Sequence, residues 1–187
     1  MIPIRNKKKT LQVTVEEMRN FAFAYDEKYA PSKQKLKTYL LKKYLKTSIT
    51  NVKKQDVNNL IDIVLSDLEK SKFINDKFYS ETKAKSMIRR GNSINKIRSY
   101  LIGKGIRDDF IKETVSKIQD ENSDQDFFSA IKICKKKRIG PARVNDNRAL
   151  FYKKDISLLA RNGFDFETSK KIMDLEKEDY LKIIKLL

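Results

Sequence analysis

Two segments of this chain are near copies of each other, and any fold must accommodate both. Ser32 to Leu45 (SKQKLKTYLLKKYL) aligns without a gap with Ser93 to Ile106 (SINKIRSYLIGKGI). Five aligned positions are identical, and most others exchange like for like: Leu for Ile, Lys for Arg, Thr for Ser. A shorter third copy, Leu159 to Phe164 (LARNGF), matches Leu101 to Ile106 (LIGKGI). A period of about 60 residues leaves room for roughly three helices per unit, as in a tandem array of small helical modules. Arrays present long surfaces in place of deep pockets, so the repeat points to binding before it points to catalysis.

Helical periodicity fills in the modules. Thr14-x-x-Glu17 reads as a capping box opening a helix with Met18, Phe21, Ala22 and Tyr25 on one face. Pro31-Ser32 ends that helix and caps a second, striped by Leu36, Leu40 and Tyr44. Asp56 is placed to cap a third, with Leu60, Ile61, Val64, Leu65 and Leu68 inward. The second module repeats the order. Asn75 opens a helix carrying Phe78, Tyr79, Thr82 and Met87, and Gly91-Asn92 closes it. Ser93 caps the copied helix, and Asp108 or Asp109 starts one with Phe110, Ile111, Val115 and Ile118 inward. The third module opens at Ser123-x-x-Asp126 and carries Phe127, Phe128, Ile131 and Cys134. Gly140-Pro141 interrupts it, and helices follow over about Asp146 to Asn162, over Glu167 to Leu175, and around Tyr180, Ile183, Ile184 and Leu187. No alternating strand pattern occurs.

The expected fold is therefore all-α: a tandem array of three three-helix repeats, an elongated helical solenoid of either hand, with a short C-terminal helix. The expected divisions are a basic flexible arm over 1–13, repeat one over 14–73, repeat two over 74–121, and repeat three with the C-terminal helix over 122–187.

Gly105 and Gly163 read as structural helix C-caps. Each stands where a left-handed residue closes a Schellman motif, with Leu101 and Ile106, or Leu159 and Phe164, as the accompanying apolar pair. Module one has Tyr44 at that place, so its middle helix should run on past Leu45.

Charge narrows the class of partner. The 187 residues hold 42 Lys and Arg against 25 Asp and Glu, a net charge of +17, and no histidine. A surplus of this size favours an acidic partner, most simply nucleic acid or a nucleoprotein. Cys134 is the only cysteine, which excludes a disulfide framework and reads as a small buried hydrophobe. The longest apolar run, Phe21 to Tyr25, is far short of a membrane span, and no signal-peptide core follows the basic N-terminus. A soluble cytoplasmic protein, monomeric by default, is expected.

Five motifs in order resemble the RecX family, the bacterial regulators of the RecA recombinase. They are Ser32 at the head of a helix, Phe73 to Phe78 (FINDKF), Arg89-Arg90-Gly91, Leu101 to Ile106 and Leu159 to Phe164. Together they span about Phe21 to Leu175. The chain departs from the family pattern at Lys35, where an acid is usual, at Asn75, which replaces the first Asp, and at Tyr79, where a small residue is common. The resemblance implies a tandem three-helix-repeat protein lying in the groove of the recombinase–DNA filament. There it would restrain strand exchange and the SOS co-protease activity, without enzyme activity or cofactor.

Independently of any family, the charges are segregated. Lys28 to Gln55 holds nine lysines and no acid. Lys83 to Arg107 holds eight Lys and Arg, and Phe127 to Asn145 holds six, again without an acid. One acid-free block per module could compose a basic edge along the array. The candidate contacts to the filament, or to single- or double-stranded DNA, are Arg89, Arg90, Lys96, Arg98, Lys104, Lys135, Lys136, Lys137 and Arg138. Tyr39 and Tyr100 could stack on bases, but their places beside Leu40 and Leu101 read better as packing between modules. The alternative is a stand-alone nucleic-acid-binding helical protein. A helix-turn-helix over 93–118 would carry Asp108, Asp109 and Glu113 at the end facing phosphates, which makes a poor recognition helix. An enzyme is the weakest reading: there is no glycine-rich phosphate loop and no metal-ligand spacing. Asp108, Asp109, Asp124 and Asp126 fit helix starts better than a Mg²⁺ site.

Overall fold

Thr14 is extended (φ −125°, ψ 151°), and its hydroxyl accepts from the Glu17 amide at 3.3 Å, which starts α1 (Val15–Tyr29). The Glu17 carboxylate does not close the capping box. It accepts instead from the amide of Gln12 and from the Tyr44 hydroxyl. Ser32 heads α2 (Lys33–Lys46), its hydroxyl accepting from the Lys35 amide. These contacts belong to a computed structural model that describes residues 11–46, 53–144 and 147–187. The further course of α2, expected to run past Leu45, lies outside the described residues after Lys46. Then come α3 (Lys54–Lys70), α4 (Asp76–Arg89), α5 (Ile94–Gly103) and α6 (Asp108–Glu121). After them run α7 (Gln125–Lys137), a 3-10 turn (Gly140–Ala142), α8 (Arg148–Arg161), α9 (Phe166–Met173) and α10 (Lys177–Lys185). Among the described residues the fold is all-α, and no helix is long and apolar enough to cross a membrane.

The helices divide into two compact units, one ending at Asp76 and the other running from Lys77 to Leu187. The first is built on α1, α2 and α3, whose inward faces meet at Met18, Ala22, Leu36, Leu40, Tyr44, Ile61 and Leu65. The second holds two apolar clusters. Ala84, Ile97, Leu101, Ile111 and Val115 join α4, α5 and α6; Ile131, Cys134, Leu159, Ile172 and Tyr180 join α7 through α10. The last group uses four helices, so it is not a plain copy of the others.

The paired positions of the copied helices behave alike: Ser32 and Ser93, Leu36 and Ile97, and Leu40 and Leu101 are all buried. One paired site differs in chemistry. Counting from Ala22 and Ala84, which are both buried, Met18 corresponds to Ser80, and Val64 corresponds to Thr114. The second cluster therefore holds a buried hydroxyl pair, Ser80 to Thr114 at 2.9 Å, where the first is apolar. Both hydroxyls are satisfied, so burying them costs little.

Several expected caps turn out differently. α3 begins at Lys54, so Asp56 sits inside its first turn and favours the helix dipole without capping. Asn75 is as expected, standing immediately before the first residue of α4, Asp76. α6 is preceded by Arg107, with Asp108 and Asp109 in its first turn, and no side chain caps it. α7 is preceded by Asp124, which makes no cap bond, and the Ser123–Asp126 box does not form. Asp76 and Asp126 reach across instead. Asp76 Oδ1 accepts from the Lys33 amide at 2.9 Å, and Asp126 Oδ1 from the Ile94 amide at 2.7 Å. The head of α2 is thus bonded to the head of α4, and the head of α5 to the head of α7. Asp146, the expected start of α8, lies outside the described residues.

Candidate functional site

The chain turns between α4 and α5 at Arg89-Arg90-Gly91. The Gly91 amide donates to Ile88 O at 2.8 Å and the Asn92 amide to Met87 O at 3.0 Å, with Gly91 at φ 80°, a Schellman closure. The turn is seated on α7. A Cβ on Gly91 would lie 3.0 Å from both Lys132 Cβ and Ser129 O. No larger residue allows this approach, and it brings exposed Arg89 and Arg90 beside Lys132. Lys135 and Lys136 follow Lys132 three and four positions later, which is one helix face. Exposed Lys137 and Arg138 close the helix, Arg138 in the left-handed region at φ 53°. Six of the nine candidates therefore sit on two elements that touch at Gly91: Arg89 and Arg90 at the end of α4, and Lys135 through Arg138 at the end of α7. Lys132 joins them. Sequence reading left it out, though its spacing from Lys135 and Lys136 was visible.

The other three stand apart. Lys96 is engaged in a seam, its ammonium 2.9 Å from Asn162 Oδ1. Arg98 is exposed on α5. Lys104 lies at the far end of that helix, about 15 Å from Ser93 by helical rise, with its ammonium 5.0 Å from the Tyr100 ring centroid. Gly105 follows at φ 72°, the Gly105 amide donating to Ile102 O and the Ile106 amide to Leu101 O. At Gly163 (φ 86°) the same pattern recurs, and here a side chain is excluded twice over. A Cβ would meet Ser93 Oγ at 2.5 Å. Ser93 uses that hydroxyl to donate to Asn162 O at 2.8 Å and to accept from the Lys96 amide. The glycine thus lets the end of α8 dock on the head of α5.

Carboxylates are spent elsewhere. Ion pairs join Arg19 to Asp67, Lys33 to Glu69, Lys37 to Asp62, Lys77 to Glu113 and Lys117 to Glu81. Among the described residues none involves Arg89, Arg90, Lys96, Arg98 or Lys135 through Arg138. Glu121 lines a shallow depression with Lys85, Ile88, Arg89, Ile118 and Gln125. Uncompensated cations held beside one another on a firm seat suit a polyanion.

The remaining titratable groups are structural. Asp108 pairs with Lys112 and Asp109 with Arg107. Burial raises the Asp126 carboxyl, the Ile94 amide opposes this, and Asp165 nearby adds to the rise. Among the described residues no three His, Cys, Asp or Glu side chains cluster to hold a metal. Burial pushes the Cys134 thiol up to about 12, which removes its nucleophilic form at neutral pH. Tyr39 and Tyr100 pack inside their own helical groups. Tyr39 stacks on Tyr25 of α1 at 4.0 Å between centroids, and the Tyr100 hydroxyl meets that of Tyr79 of α4 at 3.3 Å.

Comparison with known proteins places this geometry. The chain is 28% identical over 173 residues to the regulatory protein RecX of Myxococcus xanthus (strain DK1622), covering 91% of both sequences. The chain is thus similar to a RecX regulatory protein along most of its length. No family model matches the chain, and no solved structure matches it. Each RecX-like motif falls at the end of a helix. Ser32 heads α2, Phe73 to Phe78 joins α3 to α4, and Arg89 to Gly91 closes α4. The other two carry the Schellman closures of α5 and α8. In this chain the five motifs mark where helices start, stop and turn.

Proposed function

We propose that this chain is an inhibitory regulator that binds the RecA recombinase–DNA filament and so modulates recombination, DNA repair and the SOS co-protease activity. The single observation that carries the reading is the seat of the Arg89-Arg90-Gly91 turn on α7, the helix that carries Lys132 and ends in the Lys135–Arg138 run. The regulatory name of the Myxococcus xanthus relative agrees with it. In this reading the chain acts as a cytoplasmic monomer without catalysis. Its helices are used as three repeats over 14–73, 74–121 and 122–187 behind a basic arm over 1–13. The cations of α4 and α7 meet filament DNA phosphates or acidic recombinase loops.

The test is DNA-stimulated ATP hydrolysis by the cognate recombinase, titrated with this protein at sub-stoichiometric ratios. The wild-type chain should suppress hydrolysis. The doubly reversed Arg89→Glu/Arg90→Glu protein should need at least about tenfold more to do so, each lost charge-assisted contact being worth about 1.5–3 kcal/mol. Both side chains are exposed, so an unchanged circular dichroism spectrum is expected alongside. No suppression by the wild-type chain, together with salt-sensitive binding to bare nucleic acid, would replace this reading with a stand-alone nucleic-acid binder.

A further inference from the structure

The first unit carries an aromatic column that runs from its apolar core out to solvent. Tyr39 of α2 stacks on Tyr25 of α1 with centroids 4.0 Å apart and planes 15° from parallel. Tyr25 in turn meets Tyr29 at 4.7 Å and 45°. Tyr29 is the open end, with 54% of its surface exposed. A buried aromatic cluster would close on itself, whereas this one ends in a ring facing water.

Lysines border the column. The Lys28 ammonium is 5.3 Å from the Tyr29 ring centroid. The Lys43 ammonium is 3.6 Å from that of Phe21 and 5.8 Å from that of Tyr39. Lys35 and Lys42, four residues before and three after Tyr39, are exposed, and no ion pair among the described residues involves them. The acids next to the column in sequence are Asp26 and Glu27. At 100° per residue Glu27 turns away from the face shared by Phe21, Tyr25, Lys28 and Tyr29, while Asp26, three residues before Tyr29, stands at its edge. The lysine over the tyrosine recurs in the copied helix, as Lys104 over Tyr100.

We propose that this face of the first unit is a binding site for single-stranded nucleic acid, on which an unpaired base extends the Tyr39–Tyr25–Tyr29 column while Lys28, Lys35 and Lys42 take the flanking phosphates. Flat rings with bordering cations match a polymer of flat rings and anions. A duplex keeps its base faces stacked inside, so only a single strand can use the open end. The site lies wholly within the first unit and needs none of the cations of α4 and α7. It therefore does not rest on the filament reading.

The experiment is fluorescence anisotropy of a labelled oligodeoxythymidine with the full chain. Wild type, Tyr29→Phe and Tyr29→Ala are each compared on this strand, on an abasic strand of the same length and charge, and on a duplex. Because Tyr29 is exposed, both variants should fold. The Phe variant should bind within about twofold of wild type and the Ala variant at least about fivefold more weakly, as loss of one stacked base predicts. The abasic strand should bind wild type weakly and lose nothing further with Tyr29→Ala. Failure of wild type to bind the oligonucleotide overturns the proposal. So does an unchanged affinity in Tyr29→Ala, or an equal loss on abasic and duplex DNA. The Arg89→Glu/Arg90→Glu protein separates the two ideas: it keeps its Tyr29-dependent binding even if the filament reading fails.

Discussion

Asp155 shows how one residue can hold a turn that sequence alone does not explain. It is 1% exposed, and its carboxylate accepts from the Gly140 amide at 2.9 Å and from both arms of the Arg143 guanidinium at 2.6 and 2.8 Å. Burial by itself would raise its pKa, but the Arg143 and Gly140 bonds outweigh burial and hold it below the usual carboxylate value. Stability from this group is present above the unfolded value of about 3.9 and is lost as pH falls through the lower folded value. Asp155→Asn should therefore cost about 2–3 kcal/mol at pH 7 by urea denaturation, less than for a fully buried pair because Arg143 keeps some contact with water. The difference from wild type should shrink in acid. Ser169 is the converse case, a buried hydroxyl without a hydrogen-bond partner among the described residues, for which no packing reason is evident.

At the scale of elements, the readable features were local and the hidden ones tertiary. Helix stops were legible because Gly105 and Gly163 announce a left-handed residue, and the apolar stripes of α2 and α5 were legible because 3.6-residue spacing selects them. The acids were harder. Asp126 reads as part of the box that opens its own helix, and Asp76 stands beside the expected opener Asn75, yet the two serve the amides of Ile94 and Lys33. Nothing local distinguishes the two uses. The candidate site had the same split. The basic runs were plain in the sequence, but the juxtaposition of Arg89 and Arg90 with Lys132 depends on how closely Gly91 approaches α7. The aromatic column likewise needed Tyr25 and Tyr39 in register across two helices. The cross-helix cap can be tested directly. Asp126→Ala should lower stability by about 1 kcal/mol, the usual worth of a helix cap, whereas Asp126→Asn keeps an acceptor oxygen and should match wild type at pH 7.

For the whole molecule, the +17 net charge is unevenly used, since the acids pair mainly between α1, α2 and α3 and between α4 and α6. If the free cations meet phosphates, affinity for the filament should fall on the order of 10³-fold or more between 50 and 200 mM salt, read by anisotropy across a salt series. A flat response would assign the contact to uncharged surface. The cross-helix caps have a further consequence. Asp76 completes the first turn of α2 from 43 residues downstream, and Asp126 does so for α5 from 32. On a translating ribosome, α2 therefore stays unfinished at its head until the start of α4 arrives, and α5 until the start of α7. The direction of synthesis thus becomes the order in which these helix heads are closed.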